Sequence, residues 1–360
     1  MFTIAESELT SKLKNKEWPF QFQTKIQTQE TRNMYKTGTT FWMRWAIAIT
    51  TLNITPAHAE EPNLPETIKL IVGYPPGGSV DIVARLLAQP LSKTLGKNVI
   101  IENRPGAGGR IAAGTTKHAS TDGSVVMIAP NALTTIQTLV YDGKLTYDIT
   151  KDFTPVSRLA SYPFALSVNA KSDIKNVADL NQWLQNHPEQ SNYGSSSAGG
   201  MAHFSGLLYG KAANVNWTHV AFNGGSPLIN GILGDHIVAG IDTLIDHHEQ
   251  FKAGNLRILG LFSQQRYALA PEIPTLEEQG VKGLNVEGWY GAYVPAATDP
   301  AVVHKLDEAL GKTMTDAEFV KKLNQLVIQP AYLSSPDFKK LQDQELKSWA
   351  PTIQESGFKP

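Results

Sequence analysis

The order of apolar patterns predicts an α/β fold in two lobes, each lobe a mixed sheet flanked by helices, the two joined by a two-strand hinge. Three observations carry this. Short β-branched runs alternate with helical patterns from Ile68 onward, the alternation restarts after about residue 160, and the helical patterns at the end of the chain need a sheet to cover.

In the first series the strands are "IKLIVGY" (68–74), "NVIIENR" (98–104) and "SVVMIAP" (124–130), with helical patterns over 81–95 and 111–117 between them. The second series runs "FALSVNA" (164–170), a helix over 177–187 with Leu180, Trp183 and Leu184 at helical spacing, "SNYGSSS" (191–197), a helix near 203–213, "THVAF", "HIVAGIDTL" and "LRILGLF". After Pro274 the extended segment "LNVEGWYGAYVPA" leads into helical patterns over 301–313, 316–326 and 337–355. The economical division puts 64–160 with 286–360 in the first lobe and 161–285 in the second. "FTPVSRLA" (153–160) and "LNVEGWYGA" (284–292) then cross between them.

Composition narrows the function classes. The chain has 360 residues, 41% of them hydrophobic, which is enough for two ordinary domains. Its formal net charge of -1 with intermixed signs provides no basic face, so nucleic acid is not an expected partner. No cysteine is present, which excludes disulfides, thiolate nucleophiles and cysteine-ligated metals.

Residues 45–54, "WAIAITTLNI", form a short apolar run with Lys36 and Arg44 before it and "AHA" at 57–59 after it. That is the plan of a secretory signal, and the run falls short of the roughly 20 apolar residues of a membrane span. Residues 1–59 are read as an extension plus signal peptide cleaved after Ala59, with Met34 the expected true start.

"VGYPPGGSVDIVAR" (72–85) turns from a strand into a helix with almost no side chains in the way. In an open α/β sheet, ligands bind beyond the carboxyl ends of strands, where first-turn N–H groups lack partners and carry the positive end of the helix dipole. Gly77, Gly78 and Ser79 are expected to offer such donors, so that a carboxylate or phosphate needs no cationic side chain there. Pro75 and Pro76 fix the approach, and Asp81 is placed to accept first-turn N–H bonds or to meet a ligand. "NYGSSSAGGMAHF" (192–204) is a matching loop in the second lobe, and His203, one turn in, is either a packing residue or a contact. Asp242 ends the strand "HIVAGID" at the cleft edge, where its carboxylate can face a ligand or cap the next helix.

Other motifs fail. In "GAGGRIAAG" (106–114) the third glycine of a dinucleotide fingerprint would fall at Ile111, and "LGKT" (310–313) has Leu306 where a phosphate loop needs glycine. The loop is read instead as a tight turn packing on its helix. "GSSSA" (194–198) approaches the serine-hydrolase elbow but ends in Ala198. Asp246, His247, His248 and Glu249 are adjacent and diverge on a helix, so they are read as a solvated helix start rather than a metal site.

The segments "GYPPGGSVDIVARLLAQPLSKTLGKNVIIENRPGAGGRIAAG", "DGSVVMIAPNA", "FTPVSRLA", "GSSSAGGMAHFSGLLYG" and "IPTLEEQG" together resemble the tripartite tricarboxylate transporter substrate-binding receptors, the Bug family of extracytoplasmic solute receptors. The resemblance covers the whole mature chain. It implies a type II periplasmic-binding-protein fold closing over a small ligand, commonly a carboxylate, and delivery to the permease subunits of a tripartite tricarboxylate transporter. It implies no catalytic residue, cofactor or metal, a periplasmic location and a monomer. The residues it assigns to ligand binding are Tyr74, Pro76, Gly77, Gly78 and Asp81 in the first lobe and Ser195, Ser196, Ser197, Ala198, Gly199 and Gly200 in the second, with Asn131 and Asp242 carried over as further contacts; His203 joins them as a candidate from its position alone. Where the family has a Tyr-Lys-Gly loop, this chain has Phe222, Asn223 and Gly224. A cation beside the cleft is thereby lost. The alternatives are a hydrolase acting through a serine in 195–197, above all Ser196, and a ligand sensor for a membrane-bound regulator.

Overall fold

The computed structural model describes residues 63–360; the apolar run at 45–54 and the cleavage expected after Ala59 lie outside the described residues. In the first lobe β1 (Thr67–Val72) leads into α1 (Ser79–Leu95), β2 (Asn98–Asn103) into α2 (Arg110–Lys117), and β3 (Val125–Pro130) into a π-helical turn, Ala132–Ile136, continued by α3 (Gln137–Val140). β1 lies between β2 and β3, parallel to both, with Leu70 opposite Ile101 on one side and Val126 on the other. Strand β1 is apolar because both its faces are covered: Ile68, Leu70, Ile71 and Val72 are buried. α1 presents Val80, Val83, Ala84, Leu87 and Leu91 to the core, one stripe at helical spacing. Gly96 ends it in the left-handed region.

β4 (Phe153–Asn169) is the element on which the two lobes meet. Its first part is antiparallel to β9 (Glu287–Pro295) and to β10 (Gln329–Leu333), with Arg158 opposite Gly291 on one side and Leu333 on the other. Its second part lies between β7 (Ala239–Thr243) and β8 (Leu256–Leu261), where Leu166 faces Ile241 and Gly260. Nearly all of its 17 residues are buried, as expected for a strand paired along both edges and covered on both faces. The return crossing follows β8. Phe262 takes a hydrogen bond from the Val286 N–H while donating its own to Phe164, and the chain then enters β9.

The second lobe adds α4 (Val177–Asn186), β5 (Asn192–Ser195), α5 (Met201–Ala213), β6 (Thr218–Ala221), α6 (Gly225–Leu233) and α7 (Leu244–Lys252), with β5 parallel to both β6 and β7. Helices α8 (Pro300–Thr313), α9 (Ala317–Gln325) and α10 (Ser335–Glu355) return to the first lobe, α8 and α10 packing on β4. Both sheets are mixed, since the crossing strands β4 and β9 run against their neighbours. Helix α6 and strand β10 have no counterpart in the pattern reading. Gly-Ser-Pro at the start of α6 reads as a loop, and the irregular pairing of β10 with β4 leaves no clean alternation.

The chain past α10 also reaches the second lobe. Phe358 stands edge-on to both His203 and Phe204 of α5, and a Cβ at Gly199 would meet its ring. At the hinge, Gly288 lies against the ring of Tyr162, so closely that a Cβ would come within 2.0 Å of a ring carbon. The substitution Gly288→Ala forces Tyr162 out of its position and is expected to lower stability by about 1–3 kcal/mol, the usual cost of overpacking. Equilibrium denaturation with an unchanged midpoint would show that the ring yields freely and that the hinge is not tightly packed.

Candidate functional site

A cavity of about 650 Å³ lies between the lobes where six strands hand over to helices: β1, β2 and β3 on one side, β5, β6 and β7 on the other. Ser79 and Val80 at the start of α1, Arg110 at the start of α2, Met201 and Ala202 of α5, Gly225 of α6, and Thr243 beside α7 all line it. The first-turn N–H groups of a helix have no partner within it, so this wall carries main-chain donors from both lobes. The crossing strands supply an aromatic face: Tyr162 and Phe164 of β4 and Tyr290 of β9, with the two tyrosine rings 4.8 Å apart. Burial raises the pKa of both tyrosines, so they stay neutral and can donate.

Of the first-loop residues, Tyr74 and Gly78 line the cavity; the Tyr74 hydroxyl donates to the Gly108 carbonyl at 3.1 Å. Pro76 and Gly77 are exposed and outside the wall. Gly77, at φ +84, directs its N–H to Asp81 Oδ2 at 2.8 Å. Asp81 departs from the expected role. It is buried, and it also accepts from Arg85 Nε at 2.8 Å and Asn103 Nδ2 at 2.7 Å, so both oxygens are engaged within the protein. Burial alone would raise its pKa; the bonds from Arg85, Gly77 and Asn103 outweigh that and hold it below the usual carboxylate range. Asp81 is the clasp that shapes the loop. Because the Gly78 N–H closes a turn onto Pro75, the donors facing the cavity begin one residue later, at Ser79.

In the second loop Ser196, Ser197, Ala198, Gly199 and Gly200 all line the cavity, whereas Ser195 and His203 stand behind it. Ser195 Oγ donates to the Ser197 carbonyl at 2.9 Å and lies 2.7 Å from His219 Nε2. With the serine proton committed, His219 donates in that pair. Gly199, at φ +67, donates its N–H to His203 Nδ1 at 3.0 Å, which requires an unprotonated nitrogen. The two imidazoles are stacked 3.8 Å apart. Burial pushes His203 down to about 4, and burial together with the neighbouring ring pushes His219 to about 4.

Asn131 also departs from expectation. Its side chain turns away from the cavity: Nδ2 donates to the Glu287 carbonyl at 2.9 Å and Oδ1 accepts from the Trp289 N–H at 3.3 Å. Fully buried, it ties the end of β3 to the start of β9, and its neighbours Pro130 and Ala132 take the places in the wall. Asp242 does line the cavity. Its Oδ1 accepts from the Thr243 N–H at 2.9 Å, while no donor meets Oδ2 in hydrogen-bond geometry. Burial first, and the nearby Asp246 second, raise its pKa to about 7 against the opposing pull of Ser196 and Thr243.

Several lining residues escaped the sequence reading. Arg110 is the most important, because a site free of cationic side chains was expected. Its Nη1 donates to Gln137 Oε1 at 2.8 Å and its guanidinium covers the Tyr141 ring at 3.9 Å. It follows the end of β2, so the strand-end rule that singled out the β1 loop applied equally to "GAGGR". The segment at 242–250 is not a solvated helix start either. His247 and His248 are buried, and His247 Nδ1 lies 2.6 Å from Ser167 Oγ on β4. Asp246 alone of that group enters the wall, accepting from Thr243 Oγ1 at 2.6 Å. Among the described residues no three His, Asp or Glu side chains converge as metal ligands.

Residues 83–358 match the family described as the tripartite tricarboxylate transporter family receptor. The chain belongs to that receptor family. A Cupriavidus necator relative, "UPF0065 protein in gbd 5'region", is 32% identical over 87% of this chain and 94% of its own length. Two solved structures from Rhodopseudomonas palustris share the fold. Rpa4515 with adipate is 28% identical at a TM-score of 0.75, covering 82% of this chain and 98% of that one. MatC with bound malate is 26% identical at a TM-score of 0.69, covering 80% and 98%. In this receptor the loop that departs from the family pattern keeps its backbone role. The Gly224 N–H donates to the Ser196 carbonyl at 2.9 Å, Phe222 packs on Gly194 and Gly231, and exposed Asn223 is outside the wall.

The histidine pair supplies a test of the receptor's second loop. Both folded-state pKa values lie below the ordinary value of 6.5, so the unfolded chain binds more protons between the two. The stability these groups contribute is therefore present above about 6.5 and is lost as pH falls toward 4. Imidazole resonances of His203 and His219 followed by NMR are expected to titrate near 4, together with the Gly199 amide. Midpoints near 6.5 would mean that the rings are solvated and the loop is not held as described.

Proposed function

We propose that this chain is a periplasmic receptor that captures a small organic acid between its lobes and delivers it to the membrane subunits of a tripartite tricarboxylate transporter. The observation that carries this reading is the convergence of six strand-to-helix junctions on one interlobe cavity. Unpaired main-chain N–H groups and Arg110 suit a carboxylate, and the aromatic face suits the carbon chain between polar ends. Family membership and the malate- and adipate-bound neighbours support the same class of guest.

Closure follows from the hinge. A ligand touching both walls stabilises the closed arrangement by the contacts it makes with the second wall, and the closed pair then presents a distinct surface to a permease. The hydrolase alternative lacks the histidine of a serine triad: among the described residues no histidine enters the cavity wall beside Ser196. The serine of that loop that does meet a histidine, Ser195, is fully buried and donates its hydroxyl hydrogen to the Ser197 carbonyl.

Calorimetry and small-angle scattering against a panel of mono- and dicarboxylates test the reading, with binding and compaction expected together. A paired variant tests the mechanism. Proline is tolerated at the first helical position, and Gly78 already has the extended backbone that precedes a proline. Ser79→Pro therefore deletes one main-chain donor, whereas Ser79→Ala keeps it and removes only the hydroxyl. Ser79→Pro is expected to weaken carboxylate binding by about tenfold or more beyond Ser79→Ala, the worth of a hydrogen bond to a charged group. Equal affinities in the two variants would remove the start of α1 from the binding site.

A further inference from the structure

The backbone crosses between the lobes along β4 and again on its way into β9; the end of the chain makes a further connection that is not covalent. Helix α10 belongs to the first lobe, where Trp349 and Ile353 are buried and the helix packs on β4 and α3. Its end is fixed as well. The Ser356 N–H donates to the Thr352 carbonyl at 3.1 Å, and Gly357, at φ +63, donates to the Gln354 carbonyl at 3.3 Å. Phe358 is three residues past Glu355, a reach of about 11 Å at full extension, so its ring is carried by the first lobe. It borders one hollow with Leu139 and Val140 of α3 and with Ile353.

The ring nevertheless rests on the second lobe. It stands edge-on to His203 at 5.2 Å and to Phe204 at 6.0 Å between ring centres, and a Cβ at Gly199 would come within 2.6 Å of it. Gly199 is part of the cavity wall, and its N–H is the one that His203 Nδ1 accepts. The second loop therefore meets the cavity on one side and the tail of the chain on the other. Beside the ring, Lys211 of α5 lies 3.0 Å from Glu355, but both side chains are exposed and such a pair contributes little. The grip is aromatic.

We propose that the C-terminal tail is a strap between the lobes: Phe358, carried by α10, holds the back of the second loop and favours the arrangement in which both walls face one guest. Drawing the second lobe away from the first pulls Gly199, His203 and Phe204 off the ring, so opening loses those contacts in addition to any the guest makes. Strap and guest bias the same motion, and each strengthens the hold of the other. The effect on affinity rests on the receptor reading; the effect on lobe separation does not.

The chain has no cysteine, so spin labels on introduced cysteines meet no background. Two label pairs at exposed positions of the two lobes, Lys93→Cys with Glu189→Cys and Lys144→Cys with Lys252→Cys, report lobe separation by pulsed electron resonance with no acid added. Phe358→Ala and a chain ending at Gly357 are both expected to lengthen or broaden these distances, with Phe358→Leu between them and the full chain. In calorimetry with malate, adipate and citrate, each acid that binds is expected to lose about fivefold in affinity in both shortened forms, the worth of an aromatic edge contact. Circular dichroism checks that the variants are folded. Unchanged distances in the folded variants overturn the strap. Changed distances with unchanged affinities overturn its coupling to capture. If none of the three acids binds the full chain, the receptor reading fails for them, while the distances still decide the strap.

Discussion

The structure depends on a property of the helix that no side chain supplies: its first N–H groups cannot pair within it. A single βα loop leaves such donors to water. Here six junctions point the same way, three from each lobe, because parallel strands place all their carboxyl ends on one side of a sheet and the two sheets share β4. The recognition surface is thus a consequence of topology. Side chains then shape it and give it sign.

Shaping is done largely from behind. Asp81 binds the β1 loop to α1 and β2 through three hydrogen bonds, and His203 with His219 supports the facing loop through Gly199 and Ser195. Neither Asp81 nor His203 enters the wall, yet each fixes where the backbone of its loop lies. Asn131 does the same at the third junction by holding β3 to β9. These residues are buried and fully engaged, whereas the wall itself is rich in glycine and serine. A backbone that must meet a ligand closely leaves little room for side chains, so the polar groups that position it sit one layer back.

This division explains which parts were legible in the sequence. Strand-helix alternation, the apolar stripe of α1 and the two glycine-rich loops follow from local chemistry, and the structure has them. Whether Asp81 faces a ligand or folds back on Gly77 depends on Asn103, 22 positions away, and no local pattern carries that information. The same holds for Asn131, whose partners Glu287 and Trp289 are more than 150 residues distant. Arg110 was legible in principle. The rule that singled out the loop after β1 covers the loop after β2, and "GAGGR" was set aside because a dinucleotide pattern failed, not because its position was wrong. His247 and His248 look solvated in a run of polar residues yet are buried; β4, with Ser167, lies against the His247 face of α7.

Charge adds what the backbone cannot. Main-chain donors alone make a site for any small oxyanion, since every helix start offers the same partial charge. Arg110 breaks that uniformity on one lobe; Asp242 and Asp246 break it in the opposite sense on the other. Arg110 is itself held in place, by Gln137 on one side and the face of Tyr141 on the other, so its guanidinium is presented at a set position and not left to swing. Asp242 is held too, by the Thr243 N–H on one oxygen, which leaves the other oxygen unmet. In the proposed closure, groups of opposite sign on the two walls define both a separation and a direction. A guest that fits one wall but not the other gains from either lobe alone and does nothing to favour closure; only a guest satisfying both ends draws the hinge shut. Selectivity and closure therefore rest on the same contacts.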